Sequence, residues 1–324
     1  MITPSSEMLN WIDQALETVG QARHGAVEMV RDAARSTVFR IPCNRGRCYF
    51  KVDHFASVGE GAIVFRLTQL VPEHVAEVIA FDSTSGWLLS RDMGDCSLDT
   101  RPEPDWLACV RALATLQRAT SPEVEEWLKL GAPDWRGEAL VARIDRLIAD
   151  TWMLRPGEPD GITTVHYEHI CSRRDLDVAR VRRLAEDAIP AALVHQDVVG
   201  ENVVWAAHGP CFIDWSDAVV AHPFYACDRL LDAHWSDRAW RERIIGAYLE
   251  PFEDLAPASI LRTRFDDVLQ MRALYEGLRW HREITKFGHE HPQSHRLRRD
   301  VVAGMTMVAE FDLRRASTRP ADPS

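Results

Sequence analysis

Three oxygen-bearing side chains at short intervals carry the most pointed chemistry in the chain: Asp197, Asn202 and Asp214. The stretch 194–217 holds two apolar runs, 203–205 and 211–213, separated by a turn segment 206–210 that contains Gly209 and Pro210. This pattern predicts a β-hairpin with a loop of about five residues. Asn202 and Asp214 are both six positions from His208 at its centre. Antiparallel pairing then brings them to the same open end, on strands about 4.8 Å apart. The loop just before carries His195 and Asp197. A carboxamide oxygen and two carboxylates converging on one point are hard-oxygen donors, suited to Mg²⁺ with a phosphate-bearing substrate. His195 is expected to support the loop rather than act as a base.

Such a site needs a partner that grips phosphate. Lys51 is one of only three lysines, with Lys129 and Lys286, among 38 basic residues, so a lysine inside a strand is a pointed feature here. The N-terminal third predicts a helix from Met8, Leu9, Ile12, Leu16 and Val19 at helical spacing. Strands follow over 25–32, 37–42 and 47–52, the last carrying Lys51 near its end, then a helix over 59–70 with Glu60 at its start. Two further strands, 75–81 and 86–89, complete a five-stranded antiparallel sheet. From residue 105 the pattern turns mainly helical: 105–119, 122–130, 137–152, 167–187, 239–249, 260–285 and 297–311. The expected organisation is α+β, with a sheet-bearing N-lobe over 1–93, a helical C-lobe over 94–313 and a mobile tail over 314–324.

The spacing His-x-Asp-x-x-x-x-Asn at 195–202, followed by Ile213-Asp214-Trp215 and preceded by a strand lysine, resembles the aminoglycoside phosphotransferase family, small-molecule kinases with a protein-kinase-like fold. The resemblance spans about residues 25–311, and its motif-grade part is 194–228 plus Lys51. It implies that Asp197 is the catalytic aspartate, that Asn202 and Asp214 hold Mg²⁺, and that Lys51 binds the α- and β-phosphates of ATP or GTP with Glu60 positioning it. It further implies purine recognition by backbone groups at Arg91 and Met93, and a bracing role for Asp228, which could equally cap the helix that follows. Two departures are visible. Gln196 and Val198-Val199 differ from the family's usual residues, and the turn expected over the phosphates, Asp32-Ala33-Ala34-Arg35-Ser36, has no glycine. Ser36, Arg35 and backbone N–H groups of that turn could still meet phosphate oxygens.

The acceptor site would lie in the helical half, where Asp217, Asp232, Asp237, Glu276, Trp235, Trp240 and Trp280 are the candidate lining. A small-molecule hydroxyl is the expected acceptor, first an antibiotic such as an aminoglycoside or a nucleoside antibiotic. A metabolic kinase of the choline, homoserine or sugar type and a catalytically silent nucleotide-binding protein are the alternatives. A protein kinase is disfavoured, since Ile-Asp-Trp stands where Asp-Phe-Gly would and no Ala-Pro-Glu follows. A net charge of −11 argues against a nucleic-acid partner. No apolar run reaches membrane-spanning length, no signal peptide is apparent, and seven scattered cysteines point to reduced thiols, so a cytoplasmic location is expected. Cys43 and Cys48 read as ordinary strand residues. His281, His289, His291 and His295 lack paired ligand spacing and read as a solvated loop.

Overall fold

A computed structural model describes residues 3–55, 59–226, 228–231 and 236–317, with backbone alone at 228 and 311–317. In chain order the elements are α1 (Ser6–Thr18), β1 (Glu28–Asp32), β2 (Ser36–Cys43), β3 (Gly46–Asp53), α2 (Glu60–Leu70), β4 (Val78–Asp82), β5 (Trp87–Arg91), α3 (Glu103–Thr120), α4 (Val124–Lys129), α5 (Gly137–Ala149), α6 (Thr151–Leu154) and α7 (Thr164–Ala185). They continue with β6 (Ala192–Val194), β7 (Val203–Ala206), β8 (Gly209–Phe212), β9 (Val219–Ala221), α8 (Asp228–Leu231), α9 (Arg238–Leu249), α10 (Ala258–Gln270), α11 (Arg272–Phe287) and α12 (Pro292–Ser317). The chain forms two compact units, one from residues 1–134 with 189–261, the other from 135–188 with 262–324. The division expected at residue 93 follows role; compactness divides the chain elsewhere.

The first unit holds the five-stranded antiparallel sheet, in the order β1-β2-β3-β5-β4. Strand alternation sorts its side chains onto two faces. Phe39 and Ile41 on β2, Cys48, Phe50 and Val52 on β3, and Trp87 and Leu89 on β5 share one face with Ile12, Ala15 and Leu16 of α1. Ser5 caps α1 by accepting the Met8 N–H. The opposite face carries Val38, Tyr49, Lys51 and Leu88, which line a cleft; Lys51 lies between Val38 and Leu88 in register. Phe50 and Lys51 are neighbours in sequence, so the side chain that anchors β3 in the core also fixes which way Lys51 points.

Below the sheet in the same chain unit, β6 pairs with β9 and β7 with β8. The β6–β9 ladder joins Ala192–Val194 to Val219–Ala221, and neither strand is evident from sequence, each being three residues long. The β7–β8 hairpin is tighter than expected. Ala206 pairs directly with Gly209, leaving a two-residue turn at 207–208, and Gly209, the residue after it, takes a positive φ of 122°.

The second unit is helical. Its α5, α7, α11 and α12 bury Leu140, Ile144, Val178, Val181, Leu278 and Val301. The single helix expected over 260–285 is broken at Met271 into α10 and α11, with no glycine or proline at the break. The last helix runs to Ser317, through the start of the expected tail, and 318–324 lie outside the described residues. The expected solvated loop holds in part: His289 and His291 lie in the 288–291 loop, with His289 exposed, while His281 and His295 are on helices. His281 lies on α11 with Nε2 3.1 Å from Asp150 Oδ2, His289 stacks flat on Trp152 at 4.0 Å, His295 lies 5.9 Å from the same ring, and His291 stacks on Phe287 at 4.8 Å.

Truncating Phe50, fully buried against Trp11, Phe39 and Trp87, should cost about 3–5 kcal/mol. Urea unfolding of Phe50→Ala, followed by tryptophan fluorescence, should show a midpoint shifted down accordingly; an unshifted midpoint would remove this ring from the core account.

Candidate active site

The hairpin β7–β8 places Asn202 and Ile213 opposite one another at its open end, where the Ile213 N–H donates to the Asn202 carbonyl at 3.0 Å. Asn202 closes a one-turn 3₁₀ segment before β7 rather than opening the strand itself. Its amide nitrogen donates to the Asp197 carbonyl at 2.9 Å and approaches Asp197 Oδ2 at 3.4 Å. The nitrogen end of the carboxamide is thus spent on Asp197, which leaves the oxygen end as a donor for a cation. Asn202 and Asp214 line one cleft of about 370 Å³ together with Lys51, Glu60, Arg31, Tyr49, Arg91 and Met93. Asp197 is one hydrogen bond behind that lining.

His195 ties the loop to the hairpin. Its Nε2 lies 2.9 Å from the Ile213 carbonyl and its Nδ1 accepts the Asp197 N–H at 3.2 Å. Both bonds are satisfied by the neutral tautomer with the proton on Nε2. Burial lowers its pKa in spite of the nearby carboxylates, which favours that neutral form. The ring also meets Trp215 edge-on at 4.7 Å, and Trp215 is held by its own Nε1–H to the Phe212 carbonyl at 3.0 Å. A Cβ at Gly200 would fall 1.8 Å from Oδ1 of the exposed Asp99 side chain, which would have to turn away.

The charges of the cleft meet at Lys51. Its ammonium donates to Glu60 at 2.8 Å and to Asp214 Oδ1 at 2.6 Å. Ser216 Oγ donates to the same Asp214 oxygen at 2.7 Å. Burial alone would drive Lys51 toward neutrality, but Asp214 and Glu60 outweigh it and hold its pKa above the ordinary lysine value. Burial pushes Asp214 up, and Lys51 with the Ser216 hydroxyl more than reverses this, leaving its carboxyl below the usual range. For Glu60 burial prevails over the attraction of Lys51, and its pKa is raised. Asp214 adopts a left-handed backbone, φ 62° and ψ 63°, one of two such non-glycine residues among those described.

The remaining expected residues are placed as follows. Arg35 does not line the cleft; its guanidinium is bound by the Asp217 carboxylate and the Ser216 carbonyl. Asp217 is correspondingly buried and paired, so it is not an open acid awaiting an acceptor. Ser36 is buried at the start of β2. Arg91 and Met93 border the cleft, but the Arg91 N–H is already given to the Glu77 carbonyl at 2.9 Å. Asp237 caps α9 by accepting the Trp240 N–H at 2.9 Å, and Trp240 is packed edge-on against Trp106 at 5.7 Å. In the second unit Glu276 pairs with Arg279 at 3.8 Å, and the Arg279 guanidinium lies over the Trp280 ring at 4.7 Å. Asp228 opens α8, while Asp232 and Trp235 fall outside the described residues. Two participants have no signal in the sequence pattern. Arg31 reaches within 3.6 Å of Asp214 Oδ2, and Arg229 Nη2 donates to Asp197 Oδ1 at 3.2 Å.

Together the sheet, the Lys51–Glu60 pair and the Asp197–Asn202–Asp214 set give the chain the protein-kinase-like fold seen in small-molecule phosphotransferases. Among solved structures it is similar to an aminoglycoside 2'-phosphotransferase in complex with GDP, at 13% identity and TM-score 0.62, over 96% of this chain and 98% of that one. It is similar also to a choline kinase from Streptococcus pneumoniae, at 14% identity and TM-score 0.61, over 93% and 99% of the two chains. A macrolide 2'-phosphotransferase from Brachybacterium faecium matches at 14% identity and TM-score 0.59, over 92% and 98%. No protein-family profile matches the sequence, and no curated protein does. Among the described residues no helix is long and apolar enough to cross a membrane.

The ion cluster generates a test of sign. In the native protein Asp214 has a pKa held below its unfolded value, so its stabilising contribution is present above about pH 4 and fades as pH falls through the folded value. Lys51→Met should leave Glu60 and Asp214 facing each other with only the exposed Arg31, 3.6 Å from Asp214, as a nearby cation, at a cost on the order of 3–5 kcal/mol. Asp214 would then join Glu60 in having a folded pKa above the unfolded one, so this variant should lose further stability as pH rises from 5 to 8. Thermal melting across that range checks the direction; a pH-independent Lys51→Met variant would contradict the ion-cluster account.

Proposed function

We propose that the protein transfers the γ-phosphoryl group of ATP or GTP to a hydroxyl of a small molecule, as a member of the aminoglycoside phosphotransferase family. The observation that carries this reading is the meeting of Lys51, Glu60 and Asp214 in a cleft that also holds Asn202, with Asp197 hydrogen-bonded to Asn202.

The donors present fit Mg²⁺, because Asp214 and the free oxygen end of Asn202 are hard-oxygen ligands on one cleft wall. When bound there, Mg²⁺ would neutralise charge on the phosphates of the nucleotide. Lys51 supplies a fixed ammonium for the α- and β-phosphates, and Glu60 keeps it from collapsing wholly onto Asp214. Asp197 accepts the hydrogen bond of the acceptor hydroxyl, orients it toward the phosphorus and takes its proton as the new P–O bond forms. His195, neutral and bonded at both nitrogens, holds the loop and takes no proton. Catalysis on this account is positioning and charge neutralisation more than covalent chemistry.

An antibiotic acceptor is the favoured class, supported by the fold shared with macrolide and aminoglycoside phosphotransferases. A metabolic alcohol is the second reading, supported by the equally good match to a choline kinase. The acidic residues expected to receive a cationic acceptor are largely engaged: Asp217 with Arg35, Asp237 with the α9 N-terminus and Glu276 with Arg279.

Asp197→Asn should lower turnover roughly a hundredfold to ten-thousandfold while nucleotide still binds. Asp214→Asn should instead lose Mg²⁺-dependent nucleotide binding. Both are read against a mass-spectrometric screen with Mg²⁺, ATP or GTP and a panel of aminoglycosides, macrolides, nucleoside antibiotics, choline and homoserine. A gain of one phosphoryl group identifies the acceptor, and full turnover in Asp197→Asn would remove that residue from the mechanism.

A further inference from the structure

The turn that would cover the nucleotide phosphates contains no glycine, and the structure shows that it is pinned on every side. The Ala33 N–H donates to the Ser36 carbonyl at 3.0 Å, and the His54 N–H donates to the Arg35 carbonyl at 2.9 Å. Thr37 Oγ1 donates to Asp32 Oδ1 at 2.9 Å and lies 3.1 Å from His54 Nε2. The Arg35 guanidinium is taken by Asp217 and Ser216, with side-chain exposures of 18% and 8% for the Arg35–Asp217 pair. A turn tied through its carbonyls at 35 and 36 and through the Arg35 side chain is poorly suited to reshape itself around phosphate, which is what glycine-rich turns do.

The cation next to the turn is in a different condition. The β1–β2 register shifts between Met29 and Arg31, and Arg31 lines the same cleft as Lys51 and Asp214. Its Nη1 is 3.6 Å from Asp214 Oδ2, beyond hydrogen-bond length, and its side chain is 60% exposed. Lys51, in contrast, is held tightly between Asp214 and Glu60. One ammonium against two carboxylates leaves this cluster net negative, a poor receptor for a polyanion without further positive charge. A guanidinium beside Asp214 supplies it, in a fork that matches two phosphate oxygens.

We propose that Arg31 is a phosphate-binding residue: its guanidinium, on β1, contacts the terminal phosphates of the nucleoside triphosphate in place of glycine-turn backbone groups, while the Arg35–Asp217 pair holds the turn that follows it. The inference rests on the phosphotransferase reading and names a contact that reading does not contain. Arg35 is a positioning residue here, and Arg31 is the one that touches substrate.

Calorimetric titration of the full chain with Mg²⁺ and ATP, GTP or ADP, with adenosine and guanosine measured by competition, tests it in wild type, Arg31→Ala and Arg31→Lys. Arg31→Ala should weaken triphosphate binding roughly tenfold to a hundredfold, leave the nucleoside unchanged, and recover part of the loss in Arg31→Lys. Triphosphate affinity within twofold of wild type in Arg31→Ala, or an equal loss for nucleoside and triphosphate, would overturn the role of Arg31 alone. A wild-type protein that binds neither ATP nor GTP would overturn the phosphotransferase reading and this inference with it.

Discussion

The ammonium of Lys51, shared between Glu60 and Asp214, is the interaction on which the rest of the first unit depends. It joins three elements that have no other reason to share a point: β3 of the sheet, the first turn of α2 and the segment after β8. Removing a charge from water is expensive, and a buried cation is tolerated only where opposite charges and hydrogen bonds surround it. The aromatic cluster of Trp11, Phe39, Phe50 and Trp87 locks β3 from the other face. Ser216 and then Arg35 extend the network from Asp214 to the β1–β2 turn. Core packing and site geometry are therefore one problem, solved by the two faces of a single strand.

Much of this was readable from residue order because it is local. The hairpin, its bounding Asn202 and Asp214, and the loop with His195 and Asp197 lie within twenty residues, and their turn chemistry and spacing are self-contained. Lys51 stood out because lysine is rare in an arginine-rich chain, and Glu60 because it opens the next helix. The five strands of the sheet followed from alternation, although β1 begins at Glu28 rather than three residues earlier. Long-range pairs left no such trace. The β6–β9 ladder joins two three-residue segments too short to show a period. Arg35 with Asp217 and Arg229 with Asp197 are contacts across 182 and 32 residues that no spacing rule reports. The break at Met271 lacks the residues that ordinarily mark one.

The same long-range pairing changes the electrostatic reading of the site. Counted in sequence, the region after Asp214 is acidic and suggests a receptor for cations. Counted in space, Asp217 is neutralised by Arg35, and Asp197 has Arg229 against one oxygen and Asn202 against the other. Charge composition describes the whole surface, whereas the charge presented within the cleft depends on which of its groups are already paired.

The left-handed backbone at Asp214 has an evolutionary corollary. Only glycine, asparagine and aspartate occupy that conformation at small cost. Drift at this position is consequently channelled: a lineage abandoning the carboxylate has two inexpensive exits, a carboxamide or no side chain at all. A change to Asn or Gly there would remove the carboxylate that pairs with Lys51 while leaving the backbone and the hairpin unstrained.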